Sequence, residues 1–140
     1  SKKMGVPSNI AETVIPLGTN IHKDGSVMGG IIKIIFLFTL FGHELTSSSN
    51  AFMIIGAALL VGVVVGAIPS GGMTGELLIC SIFGFSPQLA GTLMIISTII
   101  DIPATLLNST GNITCSILVT RLTEGRDWIK KYLSVNNNQI

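Results

Sequence analysis

Charge is what this sequence has least of. Asp, Glu, Lys and Arg make up 11% of its 140 residues, against roughly 25% in a soluble domain. The formal net charge is only +1, so there is no basic surface to suggest nucleic acid as a partner. The two cysteines, Cys80 and Cys115, sit in apolar stretches with no CxxC spacing and no His partner. They read as small packing residues, which argues against a disulfide framework or a metal site. His22 and His43 lack ligand spacing for a metal. Gly71, Gly72 and Gly75 neither follow a strand nor present a P-loop lysine, and Ser70 has no companion base. An enzyme is therefore not expected, and neither is a cofactor. Ser1-Lys2-Lys3 leads into a Pro-punctuated helical segment and not into a short apolar run with a cleavage site, so no signal peptide is read here. Position 1 is not Met, and the chain reads as a piece of a larger polypeptide.

Apolar residues fill the space that charge leaves. Mean hydropathy is +0.71. Stretches 45–75, 77–100 and 102–120 hold no charged residue. Each approaches or exceeds the roughly 20 residues that a helix needs to cross a bilayer. An all-α membrane protein is expected. Residues 8–42 read as one span, with Ser8 as a helix start after Pro7, a break around 19–26 and a resumed half through Gly29 to Phe41. Lys33 lies well inside that half, where facing protein is a better reading than snorkelling. Residues 50–85 form a second unit whose centre, Ile68-Pro69-Ser70-Gly71-Gly72, cannot continue a helix. Its arms are short for a full crossing, so a re-entrant helical hairpin with its tip at 68–72 is expected. Residues 86–121 form a last span. Residues 122–140 read as an interfacial helix with Trp128, Tyr132, Lys130 and Lys131 as anchors, ending in a frayed tail.

Two polar features lie within these apolar runs. The segment Asn20-Ile21-His22-Lys23-Asp24-Gly25-Ser26 puts titratable groups and a glycine inside the first span. Charge and non-helical backbone persist at that depth where they face protein or a watery cavity. The second feature is a stripe. Asp101, Thr105, Asn108 and Asn112 recur at helical spacing, on one face of the last span. Such a face meets protein, water or ligand, or serves only to hydrogen-bond neighbouring helices.

A broken span, a Gly/Pro-tipped hairpin and a polar-striped helix, in this order, resemble the C-terminal part of the dicarboxylate/amino acid:cation symporters, the glutamate-transporter family. Residues 16–26, Pro-Leu-Gly-Thr-Asn-Ile-His-Lys-Asp-Gly-Ser, look like that family's P-L-G-A-T-I-N-M-D-G-T. Ile68-Pro69-Ser70-Gly71-Gly72 looks like its V/I-P-G-x-G hairpin tip. Residues 101–112 look like its D-M-G-R-T-x-x-N-V-T-G-D. The resemblance covers nearly the whole chain in one register. It implies the seventh span, second hairpin and eighth span of a transport core that moves as an elevator, with the hairpin as gate. It also implies a homotrimer in the parent protein, with the scaffold and first hairpin outside this chain, in a bacterial-type inner membrane.

By the same resemblance, Asp101 receives a substrate amino group, and Asn108 and Thr105 line the substrate site. The tip residues Ile68, Pro69, Ser70, Gly71 and Gly72 close over it. Asn20, His22, Lys23, Asp24, Asn108 and Asn112 form the ion-coupling set, with a possible Na+ at Asp24. Departures from the family's pattern modify this. Its Arg, which holds a second substrate carboxylate, is Ala104 here, and its last Asp is Asn112. Its Asn-Met pair is His22-Lys23. The expectation is a symporter for a small organic solute, an amino acid or a related amine-bearing molecule, coupled to Na+ or H+. The other class open at this point is a non-transporting membrane protein of the same fold, its stripe only packing helices.

Overall fold

The computed structural model describes residues 2–65, 68 and 71–137. All regular structure among them is helical. After a 3₁₀ turn at Lys2–Met4 come α1 (Ser8–Ile21), α2 (Asp24–Leu40), α3 (Ser48–Val65), α4 (Gly71–Phe83), α5 (Leu89–Glu124) and α6 (Trp128–Asn137). Of these, α5 is long and apolar enough to cross a membrane, with 36 residues. The other apolar helices are shorter.

The chain divides into two compact units. One joins the residues up to His22 with those from Ser109 onward; the other is Lys23–Asn108. Within the larger unit, α2 packs on α3, and α3 on α4. Its core gathers Ile34, Leu37 and Phe38 from α2, Ile54, Ala58 and Val61 from α3, Ile79 and Cys80 from α4, and Ala90 and Leu93 from α5. Small residues let these helices close up. A Cβ on Gly30 would sit 3.3 Å from the Ala58 methyl, the approach that membrane helices use in place of a hydrophobic driving force.

Two helices of this unit end alike. Gly42 (φ 67°) and Gly84 (φ 71°) adopt the left-handed conformation. The amides that follow them, His43 and Phe85, donate back to the Phe38 and Cys80 carbonyls at 2.8 Å. This closes the helix ends in Schellman fashion, at positions that disfavour side chains. The turns place Phe38 edge-on to Phe83 (centroids 5.1 Å apart) and His43 edge-on to Phe85 (5.4 Å), the geometry that aromatic quadrupoles favour.

The smaller unit has its own core of Val6, Ile10, Ala11 and Trp128. Trp128 is buried there. The sequence made it an interfacial anchor, but its ring instead covers the start of α1. Lys130 and Lys131 stay exposed.

The helix break expected around 19–26 is shorter than the sequence suggests. Helix persists to Ile21 and resumes at Asp24, leaving only His22 and Lys23 between. Past Pro16, Thr19 Oγ1 and Asn20 Nδ2 both donate to the Pro16 carbonyl, at 2.8 and 3.0 Å. Of the expected hairpin tip, Gly71 and Gly72 already belong to α4. Ile68 is a bend with its side chain exposed. Pro69 and Ser70 lie outside the described residues.

Candidate functional site

The larger unit contains a cavity of about 130 Å³ bounded by residues of α2, α3, α4 and α5. Its floor is largely backbone, because Gly25, Gly29, Gly62, Gly72 and Gly75 line it. Its polar groups are Ser26 and Lys33 from α2, Glu76 from α4, and Ser97 and Asp101 from α5.

The start of α2 forms one wall. No side chain of the preceding Lys23 caps it. Asn108 does so instead, from α5. Its Oδ1 accepts the Gly25 N–H at 2.9 Å and its Nδ2 donates to Ser26 Oγ at 3.0 Å. An orphan amide of the helix terminus is thereby satisfied from 83 residues away in sequence. Gly25 is required here, since a Cβ at that position would lie 2.2 Å from the Ala104 carbonyl oxygen. Asp24 occupies the first turn of α2, where the helix dipole favours a negative charge.

The opposite wall holds an ion pair. Lys33 Nζ donates to Glu76 Oε1 at 2.7 Å and to Ser97 Oγ at 3.1 Å. The Ser97 hydroxyl donates to the same carboxylate oxygen. The side chains are 12% and 1% exposed, so this pair is a closed triangle inside the helix packing. Glu76 Oε2 has no hydrogen-bond partner among the described residues. Lys33 thus faces protein, as expected from its depth. Glu76 and Ser97 were not foreseen. The available signal was that Lys33 and Glu76 are lone charges of opposite sign inside apolar runs, which membrane segments seldom leave unpaired.

The structure brings the expected residues together only in part. Asp101 and buried Ala104 line the cavity with Gly72. Asn108 is committed to the α2 start. Thr105 is exposed and is not among the lining residues. Lys23 is half-buried and Asp24 exposed. In the smaller unit Asn112 is buried with its Oδ1 unpartnered among the described residues, pressed against Gly18, where a Cβ would come within 2.5 Å of that oxygen. Asn20 is exposed and tied to Pro16, and His22 is half-buried. No group of three or more His, Cys, Asp or Glu that could hold a metal occurs among the described residues.

No solved structure matches the chain. A curated relative is the proton/sodium-glutamate symport protein of Bacillus subtilis (strain 168), 24% identical over 120 residues that make up 86% of this chain. The chain spans 28% of that relative's length. The sequence model of the sodium:dicarboxylate symporter family matches residues 1–122. Matched by that model over most of its length, and helical throughout its described regular structure, this chain belongs to the sodium:dicarboxylate symporter family of membrane transport proteins.

Proposed function

We propose that this chain is the C-terminal part of the transport core of a secondary active symporter, and that the parent protein carries a small amine-bearing, electrically neutral solute. The observation that carries the reading is the charge make-up of the cavity. Asp101 supplies a carboxylate for an ammonium group. Lys33 is already neutralised by Glu76. Ala104 adds only a methyl group where a dicarboxylate carrier needs a cation. The Bacillus relative is named for glutamate, and this chain departs from such a substrate at that position.

In this reading α1 and α2 are the two halves of one broken span, and α3 and α4 are the arms of a re-entrant hairpin. The 68–72 tip is its gate, closing over the solute beside Asp101. Asn108 acts by fixing the start of α2, with Thr105 at the edge of the solute path. Asn20, His22, Lys23, Asp24 and Asn112 form the coupling set. The coupling ion is Na+ or H+, as the relative's name has it for that protein. Backbone carbonyls of a broken helix also coordinate cations, so the loss of a carboxylate at Asn112 weakens a sodium site without abolishing it. The parent is a homotrimer in a bacterial inner membrane, and its transport core slides as an elevator against a scaffold outside this chain.

The test is uptake by the full-length protein in proteoliposomes, with a panel of neutral and acidic amino acids at varied Na+ and pH. Saturable uptake of a neutral amino acid, with acidic ones poor, is expected. Tight, saturable uptake of aspartate or glutamate would overturn the solute assignment. Absence of any flux across the panel would overturn the carrier reading.

A further inference from the structure

We infer that Glu76 is a built-in carboxylate ligand for Lys33 and sets the solute specificity of the cavity by excluding anionic solutes. The inference rests on the cavity being the solute site proposed above. Among the described residues that line it, Lys33 is the one cation. Any solute carboxylate entering would be drawn to that ammonium. The position is taken, because Glu76 Oε1 lies 2.7 Å from Nζ and Ser97 fills a further donor position at 3.1 Å. An incoming carboxylate would have to displace a buried carboxylate already in contact. It would also meet the negative charges of Asp101 and Glu76, whose Oε2 has no hydrogen-bond partner among the described residues.

Counting formal charges, Lys33, Glu76 and Asp101 together leave one negative charge in the cavity. That favours a solute presenting one ammonium to Asp101 and disfavours one bringing a second carboxylate. The pair is thus an internal copy of the contact that an acidic solute would make. Removing Glu76 should expose the ammonium and open the site to acids. Glu76 is 1% exposed and holds a charge that α4 packing alone does not require, since buried ion pairs are weak contributors to stability.

The experiment measures equilibrium binding of radiolabelled L-aspartate to the purified full-length protein. Wild type, Glu76→Gln and the double variant Lys33→Met/Glu76→Gln are compared, each checked for folding by size exclusion. Glu76→Gln should bind aspartate about ten- to a hundredfold more tightly than wild type, the range for a charge-assisted hydrogen bond. The double variant should lose the gain. A folded Glu76→Gln that binds aspartate no better than wild type would overturn the inference, as would a gain that survives in the double variant. Should Glu76→Gln not fold, Glu76→Ala is purified with acetate. A melting temperature raised by acetate but not by equal chloride supports an open carboxylate position on Lys33, and no such difference overturns it. A protein that carries no neutral solute yet gains aspartate binding on Glu76→Gln would refute the neutral-solute assignment and leave Glu76 only as the block to anions in this cavity.

Discussion

Asn108, on α5, holds the Gly25 amide and the Ser26 hydroxyl at the beginning of α2, at 2.9 and 3.0 Å. The start of α2 is therefore capped from α5. Asn108→Ala leaves the Gly25 N–H without its acceptor. Loss of a helix cap costs about 1 kcal/mol. The purified protein should melt lower by an amount corresponding to that figure, as measured by thermal denaturation in detergent. An unchanged melting temperature would mean that the cap is dispensable.

Gly25 itself is constrained by backbone and not by a movable side chain. Its missing Cβ would fall 2.2 Å from the Ala104 oxygen and 2.6 Å from the Ala104 Cα. Gly25→Ala must push α2 and α5 apart, at a cost of about 1–3 kcal/mol typical of overpacking. Gly62→Ala is the control. There the nearest atom is a Val27 methyl at 2.7 Å, with the closest backbone atom, the Val27 nitrogen, further off at 3.3 Å. Thermal melting should rank Gly25→Ala below Gly62→Ala, and the reverse order would contradict the close approach.

The Lys33–Glu76 pair gives a sign test by mutant cycle. Lys33→Met strands a buried carboxylate, and breaking a buried pair costs about 3–5 kcal/mol. Lys33→Met/Glu76→Leu removes both charges and should recover most of that loss, since apolar replacements of buried pairs are often neutral. A double variant as unstable as the single one would show that the two residues do not interact.

Much of the architecture was legible in the sequence because membrane segments are constrained by composition alone. Three charge-free runs announce apolar helices without any tertiary information. The stripe on α5 was legible as a periodicity, but its members diverge in three dimensions. Asp101 lines the cavity, Asn108 caps α2, Thr105 stays exposed and Asn112 is buried against Gly18. Helical spacing assigns residues to a face but does not say which neighbour covers each turn. Trp128 was misplaced for the same reason, since an aromatic beside lysines suits an interface and a small core equally. Glu76 escaped because its partner lies 43 residues earlier, a distance no local pattern bridges.

Asp101→Asn should weaken binding of an amine-bearing solute while leaving the fold intact. Asp101 is exposed within its unit and lines the cavity, so the loss of its charge strands no buried partner. Charge-assisted hydrogen bonds contribute about 1.5–3 kcal/mol, or roughly ten- to a hundredfold in affinity. Solute binding to the full-length variant, with its melting temperature as the folding check, decides this. Wild-type affinity in the variant would make Asp101 a packing residue.

Lys23 should replace part of the sodium requirement. It stands half-buried in the two-residue break, next to Asp24 in the first turn of α2. Relative to the family pattern, an ammonium is gained at position 23 beside Asp24, a change of charge against cation binding there. A sodium ion near Asp24 would be repelled by the neighbouring Lys23 ammonium. Transport that does not need sodium then follows. Uptake is compared with sodium replaced by choline at fixed pH, in wild type and in Lys23→Met. Wild-type uptake should persist in choline, and Lys23→Met should become sodium-stimulated. Strict sodium dependence in the wild type would refute the prediction, because an ammonium that displaces the ion cannot coexist with an obligatory sodium site at the same carboxylate.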